Sequence, residues 1–318
     1  MSGAAGPRRV LLTDHAWPGT EVEAELCAAA GYELVEAPPG AAEPELACLA
    51  ADVSGILTCW ARVSAPVIRA SAELRAIGRM GVGLDNIDVA AAAARGIAVT
   101  RIPDYCVEEV SDHVLGLLHA WARCIVTADR AVRSGEWDPA RYAPRRIASL
   151  VTGVWGLGPI GLRTAQKLRA LGCRVLTDDR HPDRVPDGAQ PVPPEVLLTD
   201  SDVLSLHLPL TESTRHIIGP EQLARMRPGA LLINTGRGAL VDIDALCAAL
   251  DDGVPGAAAL DVFPSEPEVP AALRQRSDVI LTPHIAFSSV QSVLELRRRA
   301  TRELLLVLAG QHSRYRVV

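Results

Sequence analysis

The chain has 318 residues, of which 48% are apolar and 22% charged, a balance that excludes wholesale disorder and supplies enough apolar surface for large buried cores. At about 150 residues per domain, this length predicts two domains and excludes a single small module. The net charge of −6 gives no support to a nucleic-acid or anionic-membrane partner, because such binding depends on clustered cations.

Membrane, secretion and metal signals are not evident in the sequence. Apolar stretches are interrupted by Gly, Pro or charged residues well before 18 residues, so no transmembrane helix is predicted. The first apolar run, Val10 to Leu12, is too short for a secretion signal. The seven cysteines are scattered and lack CxxC spacing, which indicates neither a disulfide framework nor a metal site. We therefore expect a cytoplasmic protein that binds no metal.

The first part of the chain alternates short β-branched or leucine-rich runs with alanine-rich amphipathic stretches. This rhythm predicts a parallel sheet covered by helices. The predicted strands are residues 9–12, 33–36, 55–57 and 97–100, and the predicted helices are residues 21–30 and 89–94. Together they resemble a small flavodoxin-like sheet.

A second series of strands follows a single long helix predicted over residues 108–133, which contains no proline and only one glycine. These strands start near Leu150 and continue at residues 174–177, 203–206, 230–234, 257–260 and 279–281, and the chain then forms a helix over residues 289–309. The sequence thus predicts an α/β fold with two doubly wound sheets.

A glycine-rich GxGxxG run spans residues 156–161, after a strand-like run and before a helix. In that context Gly156 permits a tight turn, Gly158 lets the backbone approach a pyrophosphate, and Gly161 allows close helix packing. Pro159 supplies no N–H but is well tolerated in a first helical turn, and Ile160 follows it. This pattern predicts a dinucleotide site.

Asp179 lies eighteen residues after Gly161, at the end of the next predicted strand. A carboxylate there can accept hydrogen bonds from the adenosine ribose and would repel a 2′-phosphate, which favours NAD over NADP. The neighbouring Arg180 could offset part of that repulsion.

Reduction of a 2-oxo acid requires a hydride donor, a cation that holds the carboxylate, and an acid that protonates the carbonyl oxygen. Three segments could supply these groups: residues 234–238 with Arg237, residues 261–267 with Glu266, and residues 282–285 with His284. Each follows the carboxyl end of a predicted parallel strand, where open α/β sheets bind ligands. Arginine suits the carboxylate because its planar guanidinium can bind two oxygens at once.

Seven motifs in order resemble the D-isomer-specific 2-hydroxyacid dehydrogenases and their C-terminal-binding-protein relatives. They are GVGLDNID at residues 81–88, the GxGxxG run, HLP at 207–209, MRPGA at 226–230, NTGRG at 234–238, LDVFPSEP at 260–267 and TPH at 282–284. The run IPDYCVEEV at residues 102–110 looks most like the branch that includes the C-terminal-binding proteins.

This resemblance implies a discontinuous, flavodoxin-like substrate-binding domain, residues 1–102 and 288–318, and an inserted Rossmann NAD-binding domain, residues 103–287. It implies that Arg237 binds the substrate, that His284 is the acid/base and that Glu266 stabilises the imidazolium and fixes its tautomer. Asp261 would orient the nicotinamide. The implied substrate contacts are Trp60, Met80, Gly81, Val82 and Gly83, and the further cofactor contacts are His207, Pro209, Thr235 and Gly236. The family also implies a homodimer, through residues 108–133 and neighbouring segments.

The leading hypothesis is an NADH-dependent reductase that converts a small 2-oxo acid into the D-2-hydroxy acid. The alternative is an NADH-sensing binding protein of the C-terminal-binding-protein type, since that branch keeps the same residues. Formate-type oxidation ranks low because such relatives usually carry glutamine in place of Glu266. His113 and His119 are predicted to be structural, and the sequence leaves open which 2-hydroxy acid is used and whether Arg62 binds a second anion.

Overall fold

The computed structural model describes residues 8–178 and 182–318, which fold into two compact units. One unit contains the described residues up to Tyr105 together with Ser289–Val318, and the other contains Cys106–Ser288. We call them unit 1 and unit 2. The functional roles of the two predicted domains stay predictions.

The regular elements alternate as strand and helix through most of the chain. The strands are β1 Arg9–Leu12, β2 Glu33–Glu36, β3 Gly55–Thr58, β4 Ala76–Arg79, β5 Ala98–Arg101, β6 Val151–Trp155, β7 Arg174–Asp178, β8 Gln190–Val192, β9 Val203–Leu206, β10 Leu231–Asn234, β11 Ala257–Leu260 and β12 Val279–Leu281. The α-helices are α1 Glu21–Ala29, α2 Glu43–Ala50, α3 Ala65–Ala70, α4 Val89–Ala94, α5 Val107–Ala122, α6 Ile125–Arg133, α7 Pro159–Ala170, α8 Pro194–Asp200, α9 Pro220–Ala224, α10 Ile243–Asp251, α11 Ala271–Arg274 and α12 Val290–Leu308.

Unit 1 contains a five-stranded parallel sheet in the order β2-β1-β3-β4-β5. This is the flavodoxin-like order, and the predicted fold class is confirmed. Helix α12 packs over this sheet at Gly55, where a Cβ would lie 3.1 Å from Leu308 and 3.2 Å from Leu304. A buried ion pair between Arg297 and Glu23, 2.7 Å long, ties α12 to α1. The end of the chain thus completes the unit formed by its beginning.

Unit 2 contains a seven-stranded parallel sheet in the order β12-β11-β10-β9-β6-β7-β8. Counted from β6, this is the Rossmann order 3-2-1-4-5-6 with one further strand. Strands β9, β10 and β11 are buried along their whole length, as expected for a parallel sheet covered on both faces. The topological switch lies between β6 and β9, so the turns after these two strands flank the crevice in which such sheets bind nucleotides.

Two differences from the predicted elements have a physical cause. The single predicted helix 108–133 is two helices. Cys124 adopts a left-handed conformation with φ of 56°, and this interrupts the helical hydrogen bonds between α5 and α6. Strand β4 was not predicted because its four residues, AIGR, carry too short an apolar run, although all four are buried.

Candidate active site

The glycine-rich turn after β6 has the tight geometry that its sequence predicts. Gly156 has a φ of 107°, and a Cβ there would lie 2.6 Å from the carbonyl oxygen of His207. A Cβ at Gly161 would overlap the carbonyl of Gly156. By contrast, a Cβ at Gly158 would meet no described atom within 4 Å, so the amino end of α7 is open at the residue that must approach a phosphate. Pro159 and Ile160 are the first two residues of α7.

A buried polar atom at the carboxyl end of β10 also fits a dinucleotide. The hydroxyl of Thr235, which precedes Gly236 in the turn after β10, is buried and has no hydrogen-bond partner among residues 8–178 and 182–318. Such a group is costly unless a ligand or water satisfies it. The predicted ribose ligand Asp179 lies outside the described residues, so its placement stays a prediction.

His207 lies beside the glycine-rich turn after β6, and its predicted contact with the cofactor, like that of Pro209, stays a prediction. Its backbone N–H donates to the carbonyl of Trp155 over 2.8 Å, and its Nε2 lies 2.9 Å from the Ser205 hydroxyl. Desolvation lowers the pKa of His207 to about 4, so the imidazole is neutral near pH 7. The HLP segment is anchored further on, where the Thr214 hydroxyl donates to the carbonyl of Pro209 over 2.6 Å.

The turn that carries Arg237 is braced by the side chain of Asn234. The Asn234 amide donates to the carbonyl of Arg237 over 2.8 Å, and its oxygen accepts from the N–H of Gly236 over 3.0 Å. Any side chain at Gly238 would overlap the peptide between Phe263 and Pro264. This close backbone packing places the Arg237 turn directly against the segment that carries Glu266.

Glu266 and His284 form a short, direct side-chain contact. Glu266 Oε2 lies 2.6 Å from His284 Nδ1, and Glu266 Oε1 accepts from the N–H of Phe263 over 2.9 Å. Burial raises the pKa of Glu266, but the hydrogen bond to His284, the bond from Phe263 and the charge of Arg237 together lower it below its ordinary value. The carboxylate is therefore ionised and beside the imidazole, and the three residues predicted from separate motifs lie at one place.

Asp261 holds the loop that carries His284. Its carbonyl accepts from the N–H of His284 over 2.8 Å, and its two carboxylate oxygens accept from the N–H groups of Ile285 and Ala286, each over 2.9 Å. His284 has a φ of 52°, a left-handed conformation that turns successive N–H groups toward one anion. Asp261 is fully buried, and its carboxylate also accepts from the Thr282 hydroxyl over 2.6 Å. Its predicted contact with nicotinamide stays a prediction.

The loops predicted to contact substrate lie in unit 1, at the carboxyl ends of β3 and β4. Asp14, which sequence reasoning missed, accepts from the N–H of Cys59 over 2.9 Å and from that of Trp60 over 2.7 Å. Asn86 donates to the carbonyls of Cys59 and Ala61, over 3.2 and 3.0 Å.

Arg79 connects this first loop to the second one, residues 80–83. Its Nε donates to the Asn86 side chain over 3.1 Å, and its Nη1 donates to the carbonyl of Met80. Gly81 has a φ of 154°, and a Cβ there would overlap the Arg79 guanidinium. The two loops are therefore one bonded assembly, whereas the roles predicted for Trp60 and for Met80, Gly81, Val82 and Gly83 stay predictions.

Comparison with known proteins identifies the family. A sequence profile described as D-isomer specific 2-hydroxyacid dehydrogenase, NAD binding domain, matches residues 115–286. The chain is 34% identical to a glyoxylate reductase from Thermofilum pendens, over 92% of this chain and 89% of that protein. The chain belongs to the D-isomer-specific 2-hydroxyacid dehydrogenase family. The predicted family, enzyme class and nicotinamide cofactor are thereby confirmed at the level of the family.

Two further relatives are named for different activities. The chain is 34% identical to D-3-phosphoglycerate dehydrogenase from Synechocystis over 88% of its own length, but it spans only 51% of that protein. An NADPH-dependent glyoxylate/hydroxypyruvate reductase from Sinorhizobium meliloti, solved with NADP and malonate, is 32% identical, with a TM-score of 0.87 over 99% of this chain and 97% of that one. The branch near the C-terminal-binding proteins stays a prediction.

Metal clusters and membrane-spanning helices are both absent from the part of the chain that the structure describes. Residues 8–178 and 182–318 contain no group of three or more His, Cys, Asp or Glu side chains placed to hold a metal ion. They also contain no helix with the length and apolarity needed to cross a membrane.

Proposed function

We propose that this chain reduces a small 2-oxo acid to the D-2-hydroxy acid with NADH, using Arg237, Glu266 and His284 as catalytic residues. The observation that carries the proposal is the 2.6 Å contact between His284 Nδ1 and Glu266, formed beside the packed turn of Arg237. A cation, an imidazole and an ionised carboxylate at one place are the groups that this reaction needs.

Each residue then has a defined role in the reaction. The Arg237 guanidinium binds the substrate carboxylate and polarises the neighbouring carbonyl. Because Nδ1 of His284 is bonded to Glu266, Nε2 is the nitrogen that donates the proton to the carbonyl oxygen. Glu266 stabilises the imidazolium before that transfer and holds the ring in one orientation. NADH would be held by the glycine-rich turn and the residues after β7, β9 and β10, and it would supply the hydride.

We assign substrate binding to residues 1–102 with 288–318 and nucleotide binding to residues 103–287. Trp60 and the backbone of Met80 to Gly83 then contact the substrate, because both loops are fixed at strand ends of unit 1. The names of the two reductase relatives make glyoxylate and hydroxypyruvate the first substrates to test.

The decisive assay follows NADH absorbance with a panel of 2-oxo acids. We expect His284→Ala to lower kcat by about 10²- to 10⁴-fold, since it removes the general acid, and Arg237→Ala to lower kcat/KM by a similar factor. Arg227→Ala is the matched control, because Arg227 is an exposed arginine paired with Asp202 ahead of β9. Variants of Arg237 and His284 that stay within a few-fold of the parent would refute the assigned chemistry.

Cofactor preference is tested by the Michaelis constants for NADH and NADPH. We expect NADH to be preferred and Asp179→Ser to narrow the difference, because the carboxylate repels a 2′-phosphate. Equal constants for both cofactors in the parent would contradict this assignment.

We also propose that the protein is a cytoplasmic homodimer whose contact includes α6. None of the residues in α6 is buried, and its Ile125 and Val132 are 53% and 54% exposed, seven positions apart on one face. Light scattering with and without NADH tests this, and Val132→Asp should weaken the dimer. NADH-dependent assembly without turnover of any 2-oxo acid would instead favour the binding-protein alternative.

A further inference from the structure

The loop that carries His284 is held by a chain of side chains that reaches helix α5. The Thr282 hydroxyl lies 2.6 Å from Asp261 Oδ1 and 3.0 Å from Nε2 of His113. His113 Nε2 is also 3.7 Å from the same Asp261 oxygen. His113 thus begins a chain of hydrogen bonds that runs through Thr282 and Asp261 to the amides of residues 284–286.

The direction of each hydrogen bond in this chain follows from its chemistry. Both oxygens of Asp261 accept from backbone N–H groups, so the Thr282 hydroxyl, which has one proton, donates to this carboxylate. Thr282 can then bond to His113 only by accepting, and Nε2 of His113 is the donor. Every donor in the chain therefore points toward Asp261.

These hydrogen bonds to Asp261 offset the conformational free energy that the left-handed backbone at His284 costs. A non-glycine residue with a φ of 52° is disfavoured, and it persists only where surrounding contacts require it. Here the contacts are the three consecutive amides of residues 284–286 on Asp261. The Asp261 carboxylate, which Thr282 and His113 contact on one side, holds the amides of residues 285 and 286, and the Asp261 carbonyl holds that of His284.

We propose that His113 and Thr282 are positioning residues for His284, fixing its backbone through Asp261 while Glu266 fixes its ring. The inference rests on the proposed function in that it takes His284 as the proton donor. It assigns a task to His113, which the sequence alone predicted to be structural.

The test uses paired substitutions that remove or keep each bond. Thr282→Val removes the hydroxyl and should lower kcat by about 10- to 100-fold, the scale of a small displacement of a reacting group, with the KM for the 2-oxo acid and the Kd for NADH within about twofold of the parent. Thr282→Ser keeps the hydroxyl and should restore most of kcat. His113→Leu should lower kcat several-fold, whereas His113→Gln, which keeps an N–H donor, should lower it less.

Two controls measure what such substitutions cost elsewhere. Thr301→Val alters a buried threonine of α12 whose hydroxyl has no hydrogen-bond partner among the described residues. His119→Leu alters another histidine of α5, whose Nδ1 bonds only locally to the carbonyl of Leu115 over 2.7 Å. Both should leave kcat unchanged. Equal values of kcat for Thr282→Val and Thr282→Ser, or a loss confined to NADH affinity, would overturn the positioning role.

A second readout does not depend on activity. The proton between His284 Nδ1 and Glu266 should give a downfield proton resonance, identified as the signal lost in Glu266→Gln. We expect this resonance to shift in Thr282→Val and His113→Leu and to return in Thr282→Ser. A resonance unchanged in all variants refutes the positioning role, whereas a shifted resonance in a protein whose His284→Ala variant keeps full activity refutes only the proposed function.

Discussion

Each unit holds a loop through an aspartate that accepts hydrogen bonds from backbone N–H groups, and the aspartate of unit 2 holds one more N–H group than that of unit 1. In each, an aspartate that follows a strand accepts two consecutive backbone N–H groups: Asp14 those of Cys59 and Trp60, and Asp261 those of Ile285 and Ala286. In unit 2 the aspartate carbonyl also binds the amide of His284.

The difference corresponds to what each loop carries. In unit 2 three amides are fixed around His284, the proposed proton donor, which in that role has to reach a substrate atom at hydrogen-bond distance. In unit 1 the backbone of the loop is fixed, but the Trp60 side chain remains 41% exposed. We infer that the unit 2 loop sets the rate of the chemistry and that the unit 1 loop sets which substrate fits, and four substitutions test this contrast.

The largest effect is expected from Asp261→Asn. The substitution places an amide NH₂ against loop N–H groups, so at least one buried donor loses its acceptor, at a cost of about 1–3 kcal/mol in the free energy of unfolding. We expect kcat to fall by about 100-fold, because His284 loses its position. Steady-state kinetics and denaturant titration measure the two effects. A loss of NADH affinity with an unchanged kcat would support the nicotinamide contact instead.

The second-largest effect is expected from Glu266→Gln, and this effect depends on pH. The lowered pKa of Glu266 means that the pairing with His284 stabilises the folded protein above the ordinary glutamate pKa, and this contribution is lost as the pH falls through the lowered value. We therefore expect the parent to lose activity on the acid side, and this limb to disappear from the kcat profile of Glu266→Gln. NADH affinity, measured by fluorescence, should change by less than about twofold. An unchanged acid limb would assign it to another group.

A smaller and different effect is expected from Asp14→Asn. Here the amide cannot accept from both Cys59 and Trp60, so the loop loses one of its two anchors. We expect the KM for the 2-oxo acid to rise by about tenfold while kcat stays within about threefold of the parent. Asp52→Asn is the matched control, since Asp52 is an exposed aspartate paired with Arg9 at the other end of β1. A fall in kcat without a change in KM would contradict the inference that the unit 1 loop sets which substrate fits.

The sequence predicts the unit 2 site better than the unit 1 site, for a physical reason. Arg237, Glu266 and His284 follow adjacent parallel strands, whose carboxyl ends meet at one edge of a sheet, so placing the strands places the residues. The link between Asp14 and the N–H groups 45 and 46 positions later depends on register and loop conformation, which leave no local pattern. The break at Cys124 was likewise unpredictable, because neither glycine nor proline marks it.

The smallest effect is expected from Asn86→Ala, which separates the two loops of unit 1 without moving Asp14. The variant loses the bonds to the carbonyls of Cys59 and Ala61 and the bond from Arg79, so the free energy of unfolding should fall by about 1–2 kcal/mol. With Asp14 still in place, we expect the KM for the 2-oxo acid to rise by only about threefold. If Asp14→Asn and Asn86→Ala raise KM by less together than the product of their single effects, the two residues act on one loop position, because independent sites would multiply.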